Sequence, residues 1–270
     1  MPATANADSR VGPLLRSWRE RRRLSQLDLA LEAGVSARHV SFVETGRSRP
    51  SATMVLQLAE QLDVPLRERN ALLLAAGYAP TFQEHALDAP EMTPVREAID
   101  LVLGGHDPYP AAAVDRGWNL VAGNRGLGLL VAGAAPDLLT PPVNVIRLSL
   151  HPDGVAGRII NLGQWREHLL DRLERQIAVT GDTELRELVE EVSAYPVPDD
   201  GESHASSDIV VPLRLRTGDG ELEFFSTVTT FGTAVDITVA ELAIESFFPA
   251  DEFTREAVAR FAAGGSEPQQ

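Results

Sequence analysis

The sequence predicts an α+β protein of two domains, five helices in the first 80 residues and then an antiparallel sheet with flanking helices. Three observations carry this expectation. Up to about residue 80, apolar residues recur at spacings of three and four between helix caps and glycines. Beyond residue 105, short runs alternate with a period of two around glycine turns. The charge divides in the same place: residues 1 to 80 hold 11 arginines against eight acids, and residues 81 to 270 hold 13 against 31.

The first helix is expected over 12–22, with Leu14, Leu15 and Trp18 inward. Ser25 opens the second with a Ser-x-x-acid pattern, its hydroxyl placed to accept from a backbone N–H and Asp28 standing where a capping box carries its acid. Leu29, Ala30 and Ala33 form its inward stripe, and Gly34 falls where the chain must leave the helix in a left-handed conformation. Val35 plugs the core, Ser36 caps a third helix that runs to Thr45, and Gly46 ends it. Ser51 caps a fourth, with Met54, Val55, Leu58, Ala59 and Leu62 at helical spacing, and Pro65 opens a fifth over 66–76 that Gly77 stops.

Helices two and three, joined by a turn of three to four residues, have the spacing of a helix-turn-helix, which points to double-stranded DNA. On the third helix Val40, Val43 and Glu44 share one side, while Arg38 and Phe42 lie opposite with His39 and Ser41 beside them. Hydrogen-bonding groups with a single aromatic suit a helix whose N-terminal half meets base edges in a major groove. Arg47 and Arg49 bracket Ser48 in the next loop, where they are expected to neutralise phosphates.

A net charge of −15 is unusual for a nucleic-acid binder, but nine arginines against four acids lie between Arg10 and Pro50, so the positive field is local to the motif. The acidic remainder should repel nucleic acid and leave one docking face. All 24 basic residues are arginine, a bias expected of a GC-rich genome. Cysteine is absent, which excludes disulfides, thiolate catalysis and cysteine-ligated zinc. The polar N-terminus lacks a signal core, and the longest apolar run, 127–136, is too short to span a bilayer, so a soluble, cytoplasmic protein is expected.

The stretch from Leu24 to Val64, followed by Pro65-Leu-Arg-Glu-Arg-Asn-Ala-Leu-Leu-Leu-Ala-Ala-Gly-Tyr-Ala-Pro, resembles the phage-repressor-like, XRE-type helix-turn-helix of bacterial regulators whose C-terminal half is an MmyB-like ligand-binding domain. In that wider group the residue at the start of the first motif helix contacts a phosphate, and early residues of the second read bases. The resemblance implies Gln26 as the phosphate contact and Ala37, Arg38, His39 and Phe42 as the base-facing set; the helix cap Ser36 and the flanking Ser41 are further DNA-binding candidates. Ala37 departs from the long polar residue common there and offers contact with a thymine methyl instead.

The expected organisation is a helix-turn-helix domain over 1–80, a linker and connecting helix over 81–104, and a second domain over 105–270. Residues 81–90 have turn-rich composition, and Thr93 or Pro94 starts a helix through Leu103 that Gly104-Gly105 ends. Runs at 111–115 and 118–122 flank Arg116-Gly117, a two-residue hairpin signal, and Asn124 can cap a short helix through Leu130. Residues 145–150 are ambiguous between strand and helix. Two amphipathic helices follow at 163–179 and 182–193. Val211, Leu213 and Leu215 then share one strand face, Gly218-Asp-Gly220 turns the chain, and Leu222, Phe224 and Val228 share a face on its return. Further strands are expected at 234–239 and 242–247, and a last helix at 252–262.

This half resembles the MmyB-like ligand-binding domain through Asp107-Pro-Tyr-Pro, Asp115-Arg-Gly-Trp-Asn, Asn124-Arg, Leu150-His-Pro-Asp-Gly, Trp165-Arg-Glu-His-Leu-Leu, Thr229-Thr-Phe-Gly and Phe247-Phe-Pro-Ala-Asp. The resemblance implies a PAS-like fold, an antiparallel sheet with helices enclosing a pocket, and a small hydrophobic ligand, fatty acids being the attested class. Candidate ligand contacts are the aromatics Tyr109, Trp118, Phe224 and Phe231, with Arg147 and His151 able to orient a carboxylate.

Catalysis finds little support. The histidines, at 39, 85, 106, 151, 168 and 204, show no metal-helix spacing, and Gly126-Leu-Gly128 lacks the third glycine of a nucleotide loop. Asp199-Asp-Gly-Glu reads as a solvated acidic loop. No catalytic residue, metal or cofactor is expected. The residues therefore read as a dimeric, ligand-responsive, sequence-specific DNA-binding regulator. Two alternatives stay open: a repressor or antitoxin-like protein whose C-terminal domain only dimerises or holds a protein partner, and a domain with an unrecognised enzymatic site.

Overall fold

The structure is a computed structural model, and residues 11–196 and 210–264 are described below. The acidic loop at 199–202 and His204 lie outside the described residues. The chain divides into two compact units, one running through Glu84 with the short segments Ala178–Gly181 and Ala234–Ile237, the other comprising the remainder. No helix among the described residues is long and apolar enough to cross a membrane.

The first unit is helical: α1 (Val11–Arg21), α2 (Gln26–Glu32), α3 (Ala37–Glu44), α4 (Ala52–Gln61) and α5 (Leu66–Ala75). Their apolar stripes meet in one core that includes Leu15, Trp18, Leu29, Val40, Val43, Leu58, Leu62 and Leu73. Gly34, at φ +64°, makes the left-handed exit from α2 that the sequence predicts, and an added Cβ there would touch nothing, so the requirement is purely conformational. Residues that follow α5 are tied back to it. Asn70 accepts from the amides of Thr81 and Phe82 and donates to the Phe82 carbonyl.

The second unit begins with α6 (Thr93–His106), which carries Ile99 and Leu103 onto Ala111, Ala113 and Ile244 of the sheet. The sheet is antiparallel throughout, in the order β2 (Leu120–Gly123), β1 (Ala111–Val114), β5 (Ala243–Pro249), β4 (Gly220–Thr230), β3 (Leu213–Thr217). Its other face packs into the larger core with α7 (Leu127–Val131), α8 (Val145–Leu150), α9 (Leu162–Thr180), α10 (Thr183–Ser193) and α12 (Glu252–Gly264). All four residues of β1 are buried, as befits a strand covered on both faces. The described residues thus form an α+β chain, helices first and then sheet with helices.

Three expectations change. The segment 145–150, ambiguous in sequence, is a helix, with the Asn144 side chain accepting from the Arg147 amide as its cap. The hairpin is wider than a two-residue turn at Arg116-Gly117: Asp115 gathers the amides of Gly117 and Asn119, both at 2.8 Å, and Trp118 takes φ +66° to enter the core. The strand expected at 234–239 is replaced by the short helix α11 (Ile237–Ala240), closed by turn bonds from Glu241 to Thr238 and from Leu242 to Val239. Local β-branched composition gives way there to a tight return into β5.

Candidate nucleic-acid interface and ligand site

The helix pair α2 and α3 is held at both starts by its own serines. The Ser25 hydroxyl accepts from the Asp28 amide at 3.1 Å while Asp28 accepts from the Ser25 amide at 2.9 Å, and these bonds hold the Asp28 carboxyl below its ordinary range. Ser36 accepts from the His39 amide at 3.2 Å, so a residue expected beside the DNA also caps the helix that would read it.

On α3 the two faces are those the spacing predicts. Val40, Val43 and Glu44 are buried, Arg38 is exposed, and Ala37, His39, Ser41 and Phe42 are half-buried. The Glu44 side chain is only 2% exposed and meets Arg19 in a bidentate pair, at 2.7 and 2.9 Å. That pair raises the Arg19 pKa, and Arg19 also donates to the Leu24 carbonyl at 2.8 Å. Gln26 joins the same carboxylate through its amide nitrogen at 2.8 Å. One buried acid of α3 therefore ties down α1 and orients Gln26.

The arginines sort into two groups. Arg22 donates to the carbonyls of Leu62 and Asp63, closing the end of α4. Arg49 donates to the Ala76 carbonyl at 3.1 Å and lies over the Tyr78 ring, whose hydroxyl donates to Pro50. The loop after α3 is thus clamped to the end of α5 by one of the two arginines expected at phosphates. Arg38 and Arg47 instead gather over Phe42, with their guanidinium carbons 5.1 and 5.9 Å from its ring centroid.

In the second unit the six candidate ligand residues do not converge. Phe224 is fully buried, and Trp118 is buried with its indole donating to Gln176 at 2.9 Å and Arg172 4.2 Å above its ring; both belong to the large core. Phe231 packs with Ile99 and Leu103 on the other sheet face, and Tyr109 is half-buried with an edge contact to His106. Arg147 and His151 do meet, through a cluster not visible in sequence. Arg147 pairs bidentately with Glu191 at 2.6 and 2.7 Å, Tyr195 donates its hydroxyl to Glu191, and the His151 ring lies edge-on to Tyr195 at 5.0 Å.

These contacts predict a pH response. The bond from Arg147, aided by the Tyr195 hydroxyl, lowers the Glu191 pKa to about 2, and burial with that same bond raises Tyr195 to about 12. A depressed carboxyl stabilises the fold above its ordinary pKa and loses that contribution as pH falls, here between about 4.5 and about 2. Both Arg147 and Glu191 side chains are more than a third exposed, so added salt should weaken the effect. Acid unfolding of wild type should therefore be steeper than that of Glu191→Gln across this window; equal slopes would remove the pair from the stability account. On the alkaline side the Tyr195 contribution should be lost between about 10 and about 12.

A second buried pair lies between α9 and the sheet. Arg172 meets Glu245 of β5 at 3.0 Å, and Ser226 donates to the same oxygen at 2.9 Å. Nearby His168, stacked on Trp165, has its pKa lowered by burial and then by Arg172. The sequence carried a signal for this: Arg172 and Gln176 continue the stripe of Trp165 and Leu169, and Glu245 interrupts an apolar strand. The same unit contains a cleft of about 570 Å³ lined by Asp107, Pro108, Arg125, Gly126, Phe261, Ala262 and Gly264, a volume suited to a small molecule. None of the six candidates is on that lining. Among the described residues, no group of three or more histidines and carboxylates is placed to hold a metal ion.

Two family models match the chain. Residues 15–69 match the family model described as helix-turn-helix. Residues 95–261, more than half of the chain, match the model described as the MmyB-like transcription regulator ligand binding domain. No curated protein matches the chain.

Proposed function

The chain belongs to the transcription regulators that carry an MmyB-like ligand-binding domain, and on that premise we propose that α3 reads an operator sequence while the second domain senses a small amphiphile. It is a DNA-binding regulator with a ligand-binding domain. One observation carries the reading of α3: its apolar and acidic side is locked inward through Glu44 and Arg19, so Arg38, His39 and Phe42 are left on the side that can enter a major groove. Gln26, whose amide is anchored on Glu44 at 2.8 Å, is the proposed phosphate contact, and Ala37 and Ser41 are further proposed contacts on α3.

Operators for this motif have two half-sites, so the acting species is a homodimer with half-sites about 34 Å apart or a multiple of that. For the second domain, the cleft supports a fatty-acid-like ligand. Pro108, Phe261 and Ala262 offer apolar wall and Arg125 a cation for a carboxylate; of the sequence candidates, Tyr109 is next to this lining in the chain.

The test begins with selection of bound duplexes from a random pool by the full chain. On the selected site, Arg38→Ala should cost about 1 to 3 kcal/mol and relax choice at one base position. No selected sequence, or no change on substitution, would overturn this placement of the recognition helix. The two loop arginines should separate as well. Arg47→Ala should weaken specific and random DNA alike and reduce the salt slope by about one. Arg49→Ala should leave the slope unchanged and lower the melting temperature, because its guanidinium is engaged by Ala76 and Tyr78. A reduced slope for Arg49→Ala would return it to the phosphate backbone.

A further inference from the structure

Phe42 is an aromatic on the outward side of α3, half-buried, and its ring can offer no hydrogen bond to a base edge. What it does offer is a π face, and two cations use it. Arg38, one helical turn earlier, places its guanidinium carbon 5.1 Å from the ring centroid; Arg47, from the loop beyond the helix, places its own at 5.9 Å. The backbone repeats the arrangement, since the Phe42 carbonyl accepts from the amides of both Arg47, at 2.8 Å, and Ser48, at 3.0 Å. Arg47 is thus referred to Phe42 at its main chain and at its side chain.

Arginine side chains lose much rotamer freedom when they bind, and affinity rises when that loss is incurred before the partner arrives. Two like charges gathered on one ring also repel each other. A partner with acceptors on both sides relieves that repulsion, as a phosphate beside a guanine edge does. We infer that Phe42 is a positioning residue, a platform that presents Arg38 and Arg47 to DNA as one unit, coupling the base reader to the phosphate clamp. The inference rests on the proposed reading of α3.

The experiment uses the full chain and its selected operator. Phe42→Leu should weaken binding about tenfold, the amount expected when two long side chains must be ordered afresh, while Phe42→Tyr, which keeps the ring, should stay within about threefold of wild type. The deciding arm is the same Phe42→Leu change in a chain that already carries Arg38→Ala and Arg47→Ala. A platform with nothing left to hold makes no further difference there, whereas an aromatic that itself touches bases costs the same as in wild type, and that result overturns the proposal. Failure of wild type to select any operator would instead strike the DNA-binding reading. Should Phe42→Leu fail to fold, side-chain proton shifts of Arg38 and Arg47 in DNA-free wild type decide the matter. Upfield ring-current shifts on both are expected, and values like those of a solvated arginine would contradict the platform.

Discussion

Glu44→Ala is expected to destabilise the helical domain by about 3 to 5 kcal/mol, because it takes from the buried Arg19 guanidinium its bidentate partner. In a helical unit of this size that loss should lower its unfolding transition by more than about 10 °C and abolish operator binding with it. The cause is specific. Arg19 would keep the Leu24 carbonyl and a 3.9 Å contact with the exposed carboxylate of Glu20, and Gln26 would lose the oxygen that orients it. Replacing both charges, as Arg19→Met with Glu44→Met, should restore most of the stability, since two apolar side chains remove the desolvation cost together with the attraction. Thermal unfolding of the three variants by circular dichroism checks this. A small loss for Glu44→Ala, or a double variant no better than the single, would mean that the pair is not what holds α1 on α3.

Phe224→Ala should cost the second domain a similar amount, about 3 to 5 kcal/mol, by opening a cavity where β4 meets β3 and β5. Its ring is fully buried in a core with Leu173, Leu185, Leu215 and Leu222, and surroundings so close-packed collapse only in part. Phe231→Ala, at a half-buried ring, should cost distinctly less. Urea unfolding monitored on the sheet signal separates the two. If Phe224 lined a ligand chamber instead of filling a core, its truncation would be mild.

The N-terminal half was legible because its rules are local. Ser25, Ser36 and Ser51 cap the helices they precede, Gly34 turns where a left-handed residue is required, and a period of 3.6 placed Val40, Val43 and Glu44 inward. What α3 does with its charges was not local. Nothing near Glu44 in sequence names Arg19, 25 residues away, and nothing near Arg49 names Ala76, so one arginine expected at a phosphate is found closing a helix end. In the second half the alternation of 213–215 and 222–224 was sufficient for the hairpin of β3 and β4, while the strand expected at 234–239 was lost to tertiary context. Residue type alone does not say which face of a sheet a ring will occupy. Phe224 and Phe231 therefore ended in different cores.

If occupancy of the second domain changes how the first holds DNA, one linked titration reveals it. With palmitate as the probe, the melting temperature of the full chain should rise in a saturable way as free palmitate passes its Kd, following RT ln(1 + [L]/Kd). Operator affinity should change over the same concentration range by a factor of about 5 to 150, and saturating operator should change palmitate affinity by that same factor. A saturable rise with no change in operator affinity would leave a ligand site without regulation. The absence of both across a panel of carboxylated amphiphiles would rule out an amphiphile sensor and leave a DNA-binding protein whose second domain only pairs its subunits.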